Sequence, residues 1–221
     1  MQVPTTCATI RSMNGLNTIH TVAALRALRE HLTPVEQAAS QFDALEGEHA
    51  EARQAAVLLP LFLQQGNLHL AFIRRASNLR SHSGEMAFPG GKVEPGDLSP
   101  VMTALREAEE EIGLDSTGAE ILGLLPPVFL VVSNHVITPV VAFLPAGLGT
   151  LRLEVAEVEE LIVAPVHELL NPAIFHTEQW KRGEKTRVVH FYDYQSDVYT
   201  CRIWGATGRI LSSLLEILRG K

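Results

Sequence analysis

The chain has 221 residues, 46% hydrophobic and 19% charged, an ordinary globular composition that excludes intrinsic disorder, a coiled coil and a collagen-like repeat. A net charge of −7 without a basic stripe argues against nucleic acid as the main partner. The longest apolar run, Ala55 to Leu63 with one proline, falls far short of the roughly 20 residues that cross a bilayer, so no membrane partner is expected.

At roughly 100 to 200 residues per domain, the length predicts one full domain with a terminal extension. Cys7 and Cys201 lie far apart and outside any C-x-x-C pattern, which suggests neither a disulfide framework nor a zinc site. A reducing compartment, the cytoplasm, is the default. Residues 1 to 29 carry Arg11, Arg26 and Arg29 with no acid and many Ser and Thr, the composition of a mitochondrial presequence, which makes the mitochondrion the alternative.

From Thr21 to about Leu59 the apolar spacing is helical, with Thr33-Pro34 followed by Glu36 as a helix start, and residues 1–54 read as a helical N-terminal extension. From Ala55 the texture changes to short β-type runs, Ala56 to Leu63 and Leu68 to Arg74, joined by a Gln-Gln-Gly-Asn turn; residues 55–221 form the main domain. Residues 76 to 97, rich in Gly, Ser, Pro and Asn, predict a long functional loop. A helix follows from Ser99 to Ile112, with Asp97 or Ser99 as N-cap, Pro100 in its first turn and Gly113 as its stop. Strands are expected at Ala119 to Leu124, Val128 to Val132 and Val136 to Leu144. A short helix near Val166 to Leu170, a hairpin from Arg187 to Ile203 and a closing helix from Thr207 to Leu218 complete the chain. The tyrosines of that hairpin, Tyr192, Tyr194 and Tyr199, read as sheet-face residues.

The helix from Ser99 carries the chemistry. At about 100° per residue, Val101, Ala104, Leu105, Ala108 and Ile112 share one arc, while Glu107, Glu110 and Glu111 share an adjacent one. Three glutamates so placed repel one another unless a cation sits among them. A hard divalent ion with oxygen ligands and open positions for phosphate oxygens is the obvious neutraliser, against the plainer reading of a solvated acidic face. Upstream stands Phe88-Pro89-Gly90-Gly91, a glycine pair that lets backbone approach a ligand closely. The sequence lacks the second histidine of H-E-x-x-H after His167-Glu168, and the G-x-S-x-G elbow around Ser81 and Ser83.

Arg106-Glu107-Ala108-Glu109-Glu110-Glu111-Ile112-Gly113-Leu114 resembles the R-E-U-x-E-E-x-G-U half of the Nudix box. The general box places a Glu six positions after its first glycine; here Gly91 is followed at that place by Asp97, and one extra residue precedes Arg106. The departure is similar to a variant of the coenzyme A pyrophosphatase branch. A second match to that branch runs through Arg75-Ala76, Arg80, Gly84 and Phe88-Pro89-Gly90-Gly91, departing only at Ala71-Phe72-Ile73. The segments Ile137 to Val141 and Ile203 to Thr207 resemble its central strand and the opening of its last helix, so the resemblance covers roughly residues 55 to 218.

The resemblance implies a fold of α/β (α+β) class, a Nudix-type α/β/α sandwich with a mixed sheet. It also implies Mg²⁺- or Mn²⁺-dependent hydrolysis of coenzyme A or acyl-coenzyme A to 4′-phosphopantetheine, or its acyl form, and adenosine 3′,5′-bisphosphate. The alternatives are a Nudix pyrophosphatase for ADP-ribose, NADH or a dinucleotide, and a non-catalytic nucleotide-binding module. Carried over residue by residue, Glu107 and Glu111 are the principal metal ligands, and Glu110 is a further ligand or the residue that polarises the attacking water. Arg106 holds helix and loop in register, Glu109 faces solvent, and Gly91 offers its backbone carbonyl to a metal. Arg75, Arg80, Gly84, Phe88, Gly90 and Gly91 are the expected substrate-binding residues, with Arg74 and His82 as further cations for the 3′-phosphate of coenzyme A. The partner is a small molecule, and a homodimer is left open.

Overall fold

In the computed structural model of the chain, residues 21–37, 51–78, 82–131, 133–183 and 185–220 are described. The frame is a large mixed sheet. Strand β1 (Arg53–Gln64) runs parallel to β7 (His135–Leu144) on one side. On its other side it pairs antiparallel first with β4 (Gly90–Lys92) and then with β2 (Asn67–Arg75). Strand β2 also pairs with β3 (Met86–Ala87) and β8 (Val158–Pro165), while β5 (Glu120–Leu124) and β6 (Val128–Leu130) pair with β7. A three-stranded sheet follows: β9 (Phe175–Arg182), β10 (Lys185–Gln195) and β11 (Thr200–Trp204), with β10 in the middle.

Both faces of the large sheet are covered, which is why β1 and β2 read as nearly continuous apolar runs. With the period of two, Ala56, Leu58, Phe62, Ala71 and Ile73 turn to one face and pack on the helix Pro100–Ile112. Leu59, Leu61, Leu68, Leu70 and Phe72 turn to the other and share a core with Ile210, Leu211, Leu214 and Leu215 of the closing helix Gly205–Leu218. The architecture is therefore a mixed α+β sandwich, helix on sheet on helix, as expected.

Residues 21–31 are helical, and Leu28 and Leu32 sit in the same core as the closing helix. The helical reading does not extend to Leu59. Val35–Gln37 is a single 3₁₀ turn, and 53–59 is strand because Ala56 to Leu59 alternate between the two covered faces. Residues 38–50 lie outside the described residues.

Four strands, β3, β4, β8 and β9, had no counterpart in the sequence reading. Strand β8 opens on Val158-Glu159-Glu160, which breaks an apolar pattern, yet its Val158, Ile162 and Ala164 are buried against β2. Strand β9 is mostly polar, with Phe175 and Trp180 as its apolar residues, and is specified by its ladder to β10, from Lys185↔Arg182 to Tyr192↔Phe175. The long loop contains β3 and β4, two and three residues long, too short to carry a periodic signal. Tyr192 and Tyr194 are buried and join the core with Ile203, and Tyr199 packs against it.

Candidate functional site

The helix Pro100–Ile112 starts where Ser99 Oγ accepts the Met102 N–H at 3.3 Å and ends where Gly113 takes the left-handed conformation (φ 66°). Val101, Ala104, Ala108 and Ile112 bury its inner stripe, and the small alanines bring the helix axis close to β1. Glu107 and Glu111 therefore meet the Gly-Gly strand, Glu110 is exposed and held by Arg106, and Glu109 points to solvent.

Arg106 ties the helix to the preceding loop. Its Nη2 donates to Asp97 Oδ2 at 3.0 Å and to the Lys92 carbonyl at 3.0 Å, and its Nε to Asp97 Oδ1 at 3.3 Å. Its Nη1 donates to Glu107 Oε1 at 3.2 Å and Glu110 Oε2 at 2.9 Å. Asp97 also accepts from the Glu94 N–H at 2.9 Å and Thr103 Oγ1 at 3.0 Å. The hydrogen bond from Arg106, opposed by burial and reinforced by the other donors, lowers the Asp97 pKa to about 2. Asp97, which takes the place of the general box's glutamate, is thus a clamp residue, and its carboxylate is fully used by the protein.

The glycine pair receives the other two carboxylates. The Gly90 N–H donates to Glu111 Oε2 at 2.8 Å, and Glu111 is only 2% exposed. A Cβ on Gly91 would run into the Glu107 carboxylate, with the carboxyl carbon 2.5 Å away, so only glycine lets Glu107 lie against this strand. Burial pushes the Glu111 pKa up to about 7, with the Gly90 N–H and Arg75 lowering it, and Glu107 and Glu157 raising it. Burial likewise raises Glu107, against the pull of Arg106.

The expected substrate-binding residues separate. Arg75 lies at the site, its Nη1 3.7 Å from Glu111 Oε1. Gly84 shapes the turn, donating its N–H to the Arg75 carbonyl at 3.0 Å with φ 70°. Arg74 pairs with Glu160 at 3.1 Å, and His82 with Glu85 at 2.9 Å. Arg80 lies outside the described residues. Phe88 is a correction. Its ring is 2% exposed and stacks on Phe72 with centroids 4.8 Å apart, so it packs the core under the glycine pair and presents no ligand-facing surface.

The sequence reading missed Glu157. It acts electrostatically on both Glu107 and Glu111, and its carbonyl accepts the Ala76 N–H at 2.8 Å, the residue next to Arg75. Its only signal was membership of an acid-rich run, Glu154 to Glu160, which is indistinguishable from a solvated face.

A hard divalent cation suits these residues. The side-chain donors are carboxylate oxygens, two of them desolvated and mutually repelling, and the Gly91 cradle holds one of them against backbone. As they stand, Arg106 engages Glu107 and Glu110, and Arg75 faces Glu111. Among the described residues no group of three or more His, Cys, Asp or Glu side chains is gathered to hold an ion. Among the described residues, too, no helix is long and apolar enough to cross a membrane.

The NUDIX domain family model matches residues 52–185. The chain is 39% identical over 165 residues to an uncharacterized Nudix hydrolase NudL of Photorhabdus laumondii, covering 74% of this chain and 84% of that protein. It is 36% identical over 167 residues to a protein of the same description from Yersinia pestis, covering 76% and 80%. Among solved structures, an Ap4A hydrolase binary complex of C. elegans is similar at 17% identity and a TM-score of 0.44, over 53% of this chain and 83% of that one. With the box on a capped helix beside its glycine pair, and with relatives matched over most of their length, the chain belongs to the Nudix hydrolase family.

Proposed function

We propose that this enzyme hydrolyses the pyrophosphate bond of coenzyme A or acyl-coenzyme A, releasing 4′-phosphopantetheine, or its acyl form, and adenosine 3′,5′-bisphosphate, with Mg²⁺ or Mn²⁺. The observation that carries the reading is the meeting of two sequence elements at Glu111: the box carboxylate accepts from Gly90 and faces Arg75, the two ends of the Arg75-to-Gly91 segment that resembles the coenzyme A branch.

In this reading Glu107 and Glu111 hold the metal, with the Gly91 carbonyl beside them. A bound divalent ion supplies neutralisation of the diphosphate oxygens and acidifies water. Glu110, whose side chain is 58% exposed, orients the attacking water and takes its proton, while Arg106 fixes the Glu110 carboxylate by the 2.9 Å bond. Arg75 and Arg80 meet the substrate's anionic groups. The chain's negative charge and an anionic substrate coexist because the loop arginines and the ion supply positive charge locally.

The test is mass spectrometry of products from coenzyme A, acetyl-coenzyme A, ADP-ribose, NADH and diadenosine polyphosphates at equal concentration. Preferential release of 4′-phosphopantetheine species supports the reading. Cleavage of another diphosphate with coenzyme A left intact reassigns the substrate, and no cleavage of any favours a nucleotide-binding module.

A further inference from the structure

We propose that Arg75 exchanges partners: it is the counter-ion of Glu111 Oε1 until a divalent cation takes that oxygen, and the guanidinium so released binds an anionic oxygen of the substrate diphosphate. The inference rests on the reading of Glu111 as a metal ligand.

The two oxygens of Glu111 are used differently. Oε2 is committed to the Gly90 N–H at 2.8 Å, a bond that fixes the carboxylate against the glycine strand. Oε1 faces Arg75 Nη1 at 3.7 Å, an ion-pair separation beyond direct hydrogen-bond reach. The contact is therefore a charge interaction that the guanidinium can leave without breaking a hydrogen bond to Glu111. Other cations around the site are bound more firmly. Arg74 donates to Glu160 at 3.1 Å, and Arg106 makes direct bonds to Asp97, Glu107 and Glu110.

The backbone of Arg75 is pinned while its side chain is not. Its N–H donates to the Glu85 carbonyl and its carbonyl accepts from Gly84, both at 3.0 Å, and the neighbouring Ala76 N–H is held by Glu157 at 2.8 Å. The side chain is 27% exposed against 3% for that of Glu111, so it stands on the solvent side of the pair, where a substrate arrives. A dication at Oε1 and a guanidinium at 3.7 Å repel each other, so occupancy by one disfavours the other. Once turned away, the planar fork of Arg75 suits phosphate oxygens, and ion loading and substrate capture become coupled.

The experiment is Mn²⁺ titration by calorimetry, without substrate, on the full chain and on Arg75→Gln, Arg75→Lys and Glu111→Gln, followed by steady-state kinetics at saturating Mn²⁺. Removing the neighbouring charge should tighten Mn²⁺ binding about tenfold in Arg75→Gln, with Arg75→Lys near wild type. KM for the diphosphate substrate should rise about tenfold in Arg75→Gln, as expected for a lost phosphate contact. Unchanged or weaker Mn²⁺ binding by Arg75→Gln overturns the exchange, while loss of binding in Glu111→Gln leaves the ligand reading standing. If Glu111→Gln binds Mn²⁺ as wild type does, the ligand reading falls and the exchange with it.

Discussion

Glu107 lays its carboxylate so close to Gly91 that a Cβ built there would overlap it, with the carboxyl carbon at 2.5 Å. A glycine in an ordinary strand is thus the wall of the candidate metal site. Gly91→Ala should reduce kcat/KM about 10- to 100-fold by displacing Glu107, while stability changes by no more than about 1 kcal/mol because its backbone suits any residue. Gly90→Ala should behave differently. Gly90 has φ 154°, and its Cβ would meet the Ala56 carbonyl, so the loss should appear in the melting temperature. Kinetics and thermal melts of the two variants check the contrast, and a fully active Gly91→Ala contradicts it.

Glu111 sets a pH dependence with an unusual sign. Its pKa rises from 4.5 to about 7 on folding. Between these values the unfolded chain has already lost a proton that the folded chain retains, so the contribution to stability is favourable below about pH 4.5 and is lost as pH rises to 7. Without divalent ions, Glu111→Gln should therefore melt higher than wild type at pH 8 and close to it at pH 4.5, while turnover falls at least about 100-fold. Melting curves in chelator across this range decide it; a variant less stable than wild type at pH 8 contradicts the account.

Asp97 has the opposite sign. Its pKa falls from 3.8 to about 2 under Arg106, so its contribution is present above about pH 4 and lost as pH falls through 2. Asp97→Asn should cost about 1–2 kcal/mol at neutral pH, discounting for solvent screening, and flatten acid unfolding between pH 4 and 2. Denaturant midpoints at pH 7 and pH 3 measure this, and equal losses at both would remove the clamp.

Phe88→Ala should destabilise the fold by about 3–5 kcal/mol, because the Phe72 stack and the core under the glycine pair are lost. Phe88→Leu should keep KM near wild type. A large KM rise in Phe88→Leu with unchanged stability would restore Phe88 as a ligand contact.

The sandwich was legible where residues were buried on one predictable face. The apolar runs of β1 and β2 and the capped, amphipathic helix Pro100–Ile112 appear where expected. Strand β8 was not legible because its partner β2 is distant in the chain and its opening is acidic, and β9 because its sequence is mostly polar although its ladder to β10 is a local hairpin. At the site, spacing along one helix grouped Glu107, Glu110 and Glu111. Whether a residue faces the ligand or the core was beyond sequence, since Phe88 and Arg75 lie in the same matched segment and turn to different places. Glu157 joins the acids only through the fold, some 46 positions from Glu111 in the chain, where no local pattern links them.

The central claim is metal-dependent cleavage of the coenzyme A pyrophosphate by the box carboxylates. Phosphorus NMR of coenzyme A with the wild-type chain, in Mg²⁺ or Mn²⁺ and then in excess chelator, with Glu111→Gln alongside, tests it most directly. The account predicts conversion of the diphosphate resonances to two phosphomonoesters only with wild type and metal. Intact coenzyme A under every condition, or equal cleavage by Glu111→Gln, would contradict it.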